Sequence, residues 1–178
     1  MNTTSRMITG TVAATAVLGG AMVATAGPAA AAASYHCTTS KHSVDNPAYN
    51  GVYADNFDFT VQLCAKRSSG TIYTYAKISW DGPAWFVDGP SEFDAARFHL
   101  QTKKSVSGPD KVVKWANYTG IKSRLEHGDY KGNGSYTTGV LKYSAGSGRY
   151  LADGFLQLDW DKDGKGYRTT TFSASPTV

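Results

Sequence analysis

The stretch NFDFTVQLCAKRSSGTIYTYAKISW, residues 56–80, decides the fold. Its first half places Phe57, Phe59, Val61, Leu63 and Ala65 at every second position, with Asp58, Thr60, Gln62, Cys64 and Lys66 between them. Side chains of an extended chain point alternately to opposite faces, so this period of two marks a strand with one buried face. Arg67-Ser-Ser-Gly70 then turns the chain. The second half repeats the pattern: Ile72, Thr74, Ala76, Ile78 and Trp80 point inward, and Tyr73, Tyr75, Lys77 and Ser79 point outward. Two alternating runs joined by a short polar turn make an antiparallel hairpin.

The rest of the chain reads the same way. AARFHLQTKK (95–104) buries Ala96, Phe98 and Leu100 and turns Arg97, His99, Gln101 and Lys103 outward. After the turn SGPD comes KVVKWANYTGI (111–121), apolar on both sides, which predicts a central or doubly covered strand. EHGDYKGNGS (126–135) reads as a loop. YTTGVLKYS (136–144), GFLQLDW (154–160) and YRTTTFS (167–173) read as strands, and SYHCTTSKH (34–42) as the first. The expectation is an all-β protein, an antiparallel β-sandwich or small barrel of about eight strands.

Residues 1–33 stand apart from this pattern. Arg6 opens a run of apolar and small residues, and Gly27-Pro28 followed by alanines offers A-x-A cleavage sites, the layout of a secretory signal peptide. Gly19, Gly20 and the Gly-Pro break argue against a retained anchor, which needs about 20 strongly apolar residues. The expected cleavage, after Ala33 or equally after Ala31 or Ala32, would leave residues 34–178 as a single secreted domain with no membrane segment. Of 178 residues, removal of 33 leaves 145, enough to bury about two-thirds of the unfolded surface without metal or dense disulfides. The formal charge of +4 falls to +3 without Arg6, too small to mark a nucleic-acid binder.

Cys37 and Cys64 are the two cysteines. An even pair in an exported chain predicts a disulfide. Because Cys64 alternates with the buried set, the bridge should clamp the N-terminal segment across the outside or edge of the sheet.

Chemical motifs are sparse. Asp159, Asp161, Asp163 and Gly164 match the start of an EF-hand loop, but Thr170 stands where the bidentate glutamate belongs. Asp-Gly is also a favoured pair for tight hairpin turns, so the segment reads as a hairpin tip, with weak calcium binding as the rival. His36, His42, His99 and His127 form no metal-ligand spacing, and nothing in the sequence calls for a metal or cofactor. No nucleophile elbow, phosphate loop or dinucleotide fingerprint appears.

Aromatic residues are abundant instead: eleven tyrosines, seven phenylalanines and four tryptophans. Phe57, Phe59, Trp80, Phe98 and Trp160 fill inward positions, but Tyr73 and Tyr75 lie two apart on an outward face and Trp85 sits in the loop DGPAWFVDGP. A basic run, Lys103, Lys104, Lys111, Lys114, Lys122 and Arg124, reads as guarded strand edges, with an anionic cell-wall polymer as the rival partner. The expected function is a small secreted binding module that engages an extracellular glycan or protein through Tyr73, Tyr75 and Trp85. The alternatives are a protease inhibitor presenting the loops at 81–92 and 126–135, and a small hydrolase using His127 or His99.

Overall fold

The computed structural model describes residues 33–47, 56–83 and 92–178. The signal-peptide segment apart from Ala33, and Trp85 with its loop, lie outside these residues. The described residues form nine strands: β1 (His36–Val44), β2 (Phe57–Ser68), β3 (Thr71–Asp81), β4 (Phe93–Lys104), β5 (Lys111–Tyr118), β6 (Gly134–Thr137), β7 (Leu141–Ser144), β8 (Tyr150–Trp160) and β9 (Arg168–Thr171). One helical turn, α1 (Ile121–Glu126), lies between β5 and β6.

The strands form two antiparallel sheets that pack as a sandwich. Sheet A runs β1-β2-β3-β6, with β7 also on β3, and sheet B runs β5-β4-β8-β9. The 56–80 alternation lands as expected. Phe57, Phe59, Val61, Leu63, Ile72, Ala76, Ile78 and Trp80 are all buried, facing Ala96, Phe98, Leu100, Leu156, Leu158 and Trp160 from sheet B. An aromatic cluster fills one end, where Phe93 and Trp160 lie 4.7 Å apart and Phe57 sits 5.7 and 6.2 Å from them. Between the sheets, the buried hydroxyls of Thr74 and Thr102 satisfy each other at 2.8 Å.

Three sequence expectations need correction. The run 111–121 is not a covered central strand: β5 is the edge of sheet B, with Val112 and Trp115 exposed. Its apolar character on both sides comes from a register shift at Thr102/Lys103, which turns Val112 and Trp115 to the same outer face. Ile121 does not end that strand but starts α1, whose Ile121 and Leu125, four apart, both reach the core. The run 136–144 is two strands, not one. Thr138 bonds to Ala76 between them through both its amide and its hydroxyl. Tyr118 from β5 donates its hydroxyl to Gly139 O at 2.8 Å. That bond and the ring beside Gly139 break the ladder at this point.

The disulfide joins Cys37 and Cys64, which are direct partners in the β1–β2 register. It lies on the side of sheet A away from sheet B, with Cys64 buried and Cys37 exposed, and ties down an edge strand. The C-terminal tail adds a second tie: Val178 and Ser175 pair with Tyr150 and Ala152 of sheet B, while Ser173 N donates to Ser40 Oγ of sheet A.

Candidate functional site

Register sorts the outward residues of sheet A into rows. Cys37, Cys64 and Tyr75 form one row; Lys66, Tyr73 and Lys142 form the next, with Tyr35 beside Lys66. The sequence singled out Tyr73 and Tyr75, and the structure brings Tyr35 to them. Tyr35 meets Tyr75 edge to face at 4.8 Å, the arrangement that ring quadrupoles favour. Lys66 Nζ lies 4.6 Å from the Tyr35 ring and 5.4 Å from Tyr73, and Lys142 Nζ lies 5.9 Å from Tyr73. All three tyrosines are half-buried. Burial, and then the neighbouring Tyr75 and Tyr73, push the Tyr35 hydroxyl above its ordinary value, so it stays a neutral donor.

The opposite end of the same face holds a cleft of about 600 Å3, within the range of small-ligand sites. Its lining includes the outward residues of three adjacent strands, Lys41, Asp58, Thr60, Ser79 and Asp81, together with Asn133 from the turn before β6. Asp58 and Asp81 are direct cross-strand partners. Opposed side chains of this kind stand about 5 Å apart, and like charges there repel unless something bridges them. Among the described residues, Asn133 Oδ1 is buried without a hydrogen-bond partner, and Asn133 lines the cleft. A buried unpaired group of this kind costs about 1–3 kcal/mol, so a ligand that satisfied one would gain affinity.

Between the two ends stands a polar row, Thr39, Gln62, Lys77 and Thr137. The whole strip, from Tyr73 to Asp81 along β3, is about 27 Å long at the usual rise per residue. Its six charged side chains are Lys41, Lys66, Lys77 and Lys142 against Asp58 and Asp81, a net of +2. Tyrosine edges, hydroxyls, amides and lysines on one strip can hold a ligand that alternates apolar patches with hydroxyl or acidic groups.

The other sequence candidates go elsewhere. His127 stands exposed at the end of α1, its Nδ1 2.8 Å from Ser123 O. Its neighbour Glu126 binds Lys122 at 2.7 and 2.8 Å. His99 Nδ1 is held 2.6 Å from Asn117 Oδ1, an amide rather than a carboxylate. The loop 128–133 is braced by Asp129, whose carboxylate accepts the amides of Lys131 and Asn133. Tyr130 and Lys131 occupy the middle of a tight turn closed by Gly132 N on Asp129 O, not the extended form that pairs with a partner strand. At 159–166, Asp161 pairs with Lys162, and Asp163 accepts the Lys165 amide and faces Arg168. Positive φ at Lys162, Gly164 and Gly166 shapes this hairpin tip. Among the described residues no group of three or more His, Cys, Asp or Glu could hold a metal. The basic run is divided: Lys103 pairs with Asp153, Lys122 with Glu126, and Lys114 donates to Lys142 O.

No protein-family model matches the chain and no curated protein matches its sequence, so any functional reading rests on the chemistry of these surfaces.

Proposed function

We propose that this protein is a small secreted module that binds an extended extracellular glycan along the outer face of sheet A. The observation that carries the reading is the sharing of one face by the tyrosine group (Tyr35, Tyr73, Tyr75) and the polar cleft of Asp58 and Asp81. A pyranose ring offers C–H groups on its faces and hydroxyls around its rim. The first suit tyrosine, and the second suit carboxylates, amides and hydroxyls. The lysines flanking the tyrosines favour a chain that also carries acidic groups, as a cell-wall polymer does.

Export supports the same reading. The leader layout of residues 1–33 and a disulfide both suit an oxidising exterior, and among the described residues no helix is long and apolar enough to cross a membrane. Trp85 joins the proposal from the sequence alone, as a loop aromatic after β3.

Sedimentation with insoluble cell-wall polysaccharide tests it. Tyr73→Ala and Tyr75→Ala should each weaken binding by about tenfold, the equivalent of one lost aromatic contact. Asp58→Asn should weaken it while leaving the melting temperature unchanged or higher, because it removes one of two opposed charges. Trp85→Ala tests the loop separately. Wild-type retention by both tyrosine variants would discard this face.

A further inference from the structure

The outer face of sheet B carries a second aromatic surface, made of residues that the sheet A proposal does not use. His99 stacks on Phe155 with centroids 4.6 Å apart and planes 13° from parallel. On its other side His99 stacks on Trp115, at 5.1 Å and 24°. The Asn117 amide oxygen, 2.6 Å from His99 Nδ1, fixes the middle ring. Trp115 therefore stands on the edge strand of its sheet, backed by two parallel rings, yet keeps 57% of its surface exposed. The tryptophans Trp80 and Trp160, by contrast, are 4% and 1% exposed. An indole this exposed and this firmly held offers apolar area to a ligand, and covering it would gain free energy.

The surroundings define what it meets. Gln101 and Asp153 share Trp115's row; Thr171 lies in the His99 row, and Gln157 and Thr169 in the next. These are hydrogen-bonding groups of the kind that can meet the hydroxyl rim of a sugar. The charges cancel: Arg97 and Lys103 are matched by Asp153 and Asp159, a net of zero against +2 on sheet A. Lys103 is already paired with Asp153, and Arg97 lies over the Tyr167 ring at 4.2 Å while donating to Gln157. A ligand suited to this face is uncharged, has a flat apolar side to lie on an indole, and has a rim of hydroxyls. We infer that the Trp115–His99–Phe155 stack is a platform for an uncharged pyranose chain, a second carbohydrate site on the opposite sheet.

The test uses the mature protein with insoluble chitin and cellulose as the uncharged probes. Wild type should sediment with at least one of them, and Trp115→Ala, at an unchanged melting temperature, should bind at least tenfold more weakly. Trp115→Phe should retain part of the binding. Soluble chitohexaose or cellohexaose should shield tryptophan emission from acrylamide quenching in wild type but not in Trp115→Ala. Failure of wild type to bind either polymer overturns the inference, as does undiminished binding by Trp115→Ala. Capture of a protein partner through Trp115, with no polysaccharide binding, overturns it too. Each failure is separate from the sheet A reading, which is judged on acidic wall polymer with the Tyr73 and Tyr75 variants.

Discussion

At the scale of single residues, two positions expose the forces that shape the surfaces. Gly134 faces Trp80 across the β3–β6 pair, and a Cβ there would lie 2.4 Å from the indole Cζ2. Trp80 is packed against Phe59 and is buried. Gly134→Ala should therefore destabilise the fold by about 1–3 kcal/mol in urea denaturation, the usual cost of overpacking a filled core. Glu92 shows an electrostatic effect. Burial first, and then Asp161 and Glu126, hold its carboxyl above the ordinary range. The folded chain thus binds this proton more tightly than the unfolded chain, so stability falls as pH rises through that window. The penalty is fully present above the raised value and absent below the ordinary one. Glu92→Gln should melt higher than wild type near pH 7, and the difference should vanish at about pH 3, where both forms are neutral. An equal gain at both pH values would point to packing instead.

At the scale of elements, the disulfide and the strand edges dominate. β1 is an edge strand with mostly exposed side chains, so little apolar burial holds it. Cys37–Cys64 cross-links it to β2 and closes a loop whose entropy is worth about 3–4 kcal/mol. Cys64→Ser should speed hydrogen exchange in residues 34–44 first, with β3 and β8 nearly unchanged until global unfolding. Uniform loss of protection would refute the local role. The place of the bridge was legible in the sequence, since the alternation of 56–66 already put Cys64 opposite the core set. The status of β5 was not. Alternation reports which way a side chain points relative to its neighbours, but an edge strand and a central strand share that pattern. The shift at Thr102/Lys103 then made Val112, Val113 and Trp115 look two-sided. One signal pointed to the stack: His99 reads outward on its strand, and pairing across the SGPD turn brings 111–118 beside it. The break between β6 and β7 had no local signal apart from Gly139, because it depends on Tyr118 arriving from the other sheet.

At the scale of the whole molecule, a sandwich has a simple consequence for function. Its two sheets bury one face each against the other, about 10 Å apart, so their outer faces look in opposite directions. The tyrosine strip with its cleft belongs to sheet A, and the Trp115 stack belongs to sheet B. The sequence showed the two-sided ribbons and the Tyr73–Tyr75 face, but not that a second aromatic surface backs onto the first, since that follows only from how the sheets stack. If both surfaces bind sugar, one molecule holds two chains at once, and the second engagement is governed by effective concentration, not by new contacts. The protein should then clump suspended wall particles that carry both acidic and neutral polymers, most strongly at sub-saturating amounts, and excess protein should disperse them as each face finds its own chain. Tyr73→Ala and Trp115→Ala should each abolish clumping measured by turbidity while leaving the other face able to bind its own probe. Wild-type protein that binds both probes yet never clumps particles would show that the two faces do not act as a pair.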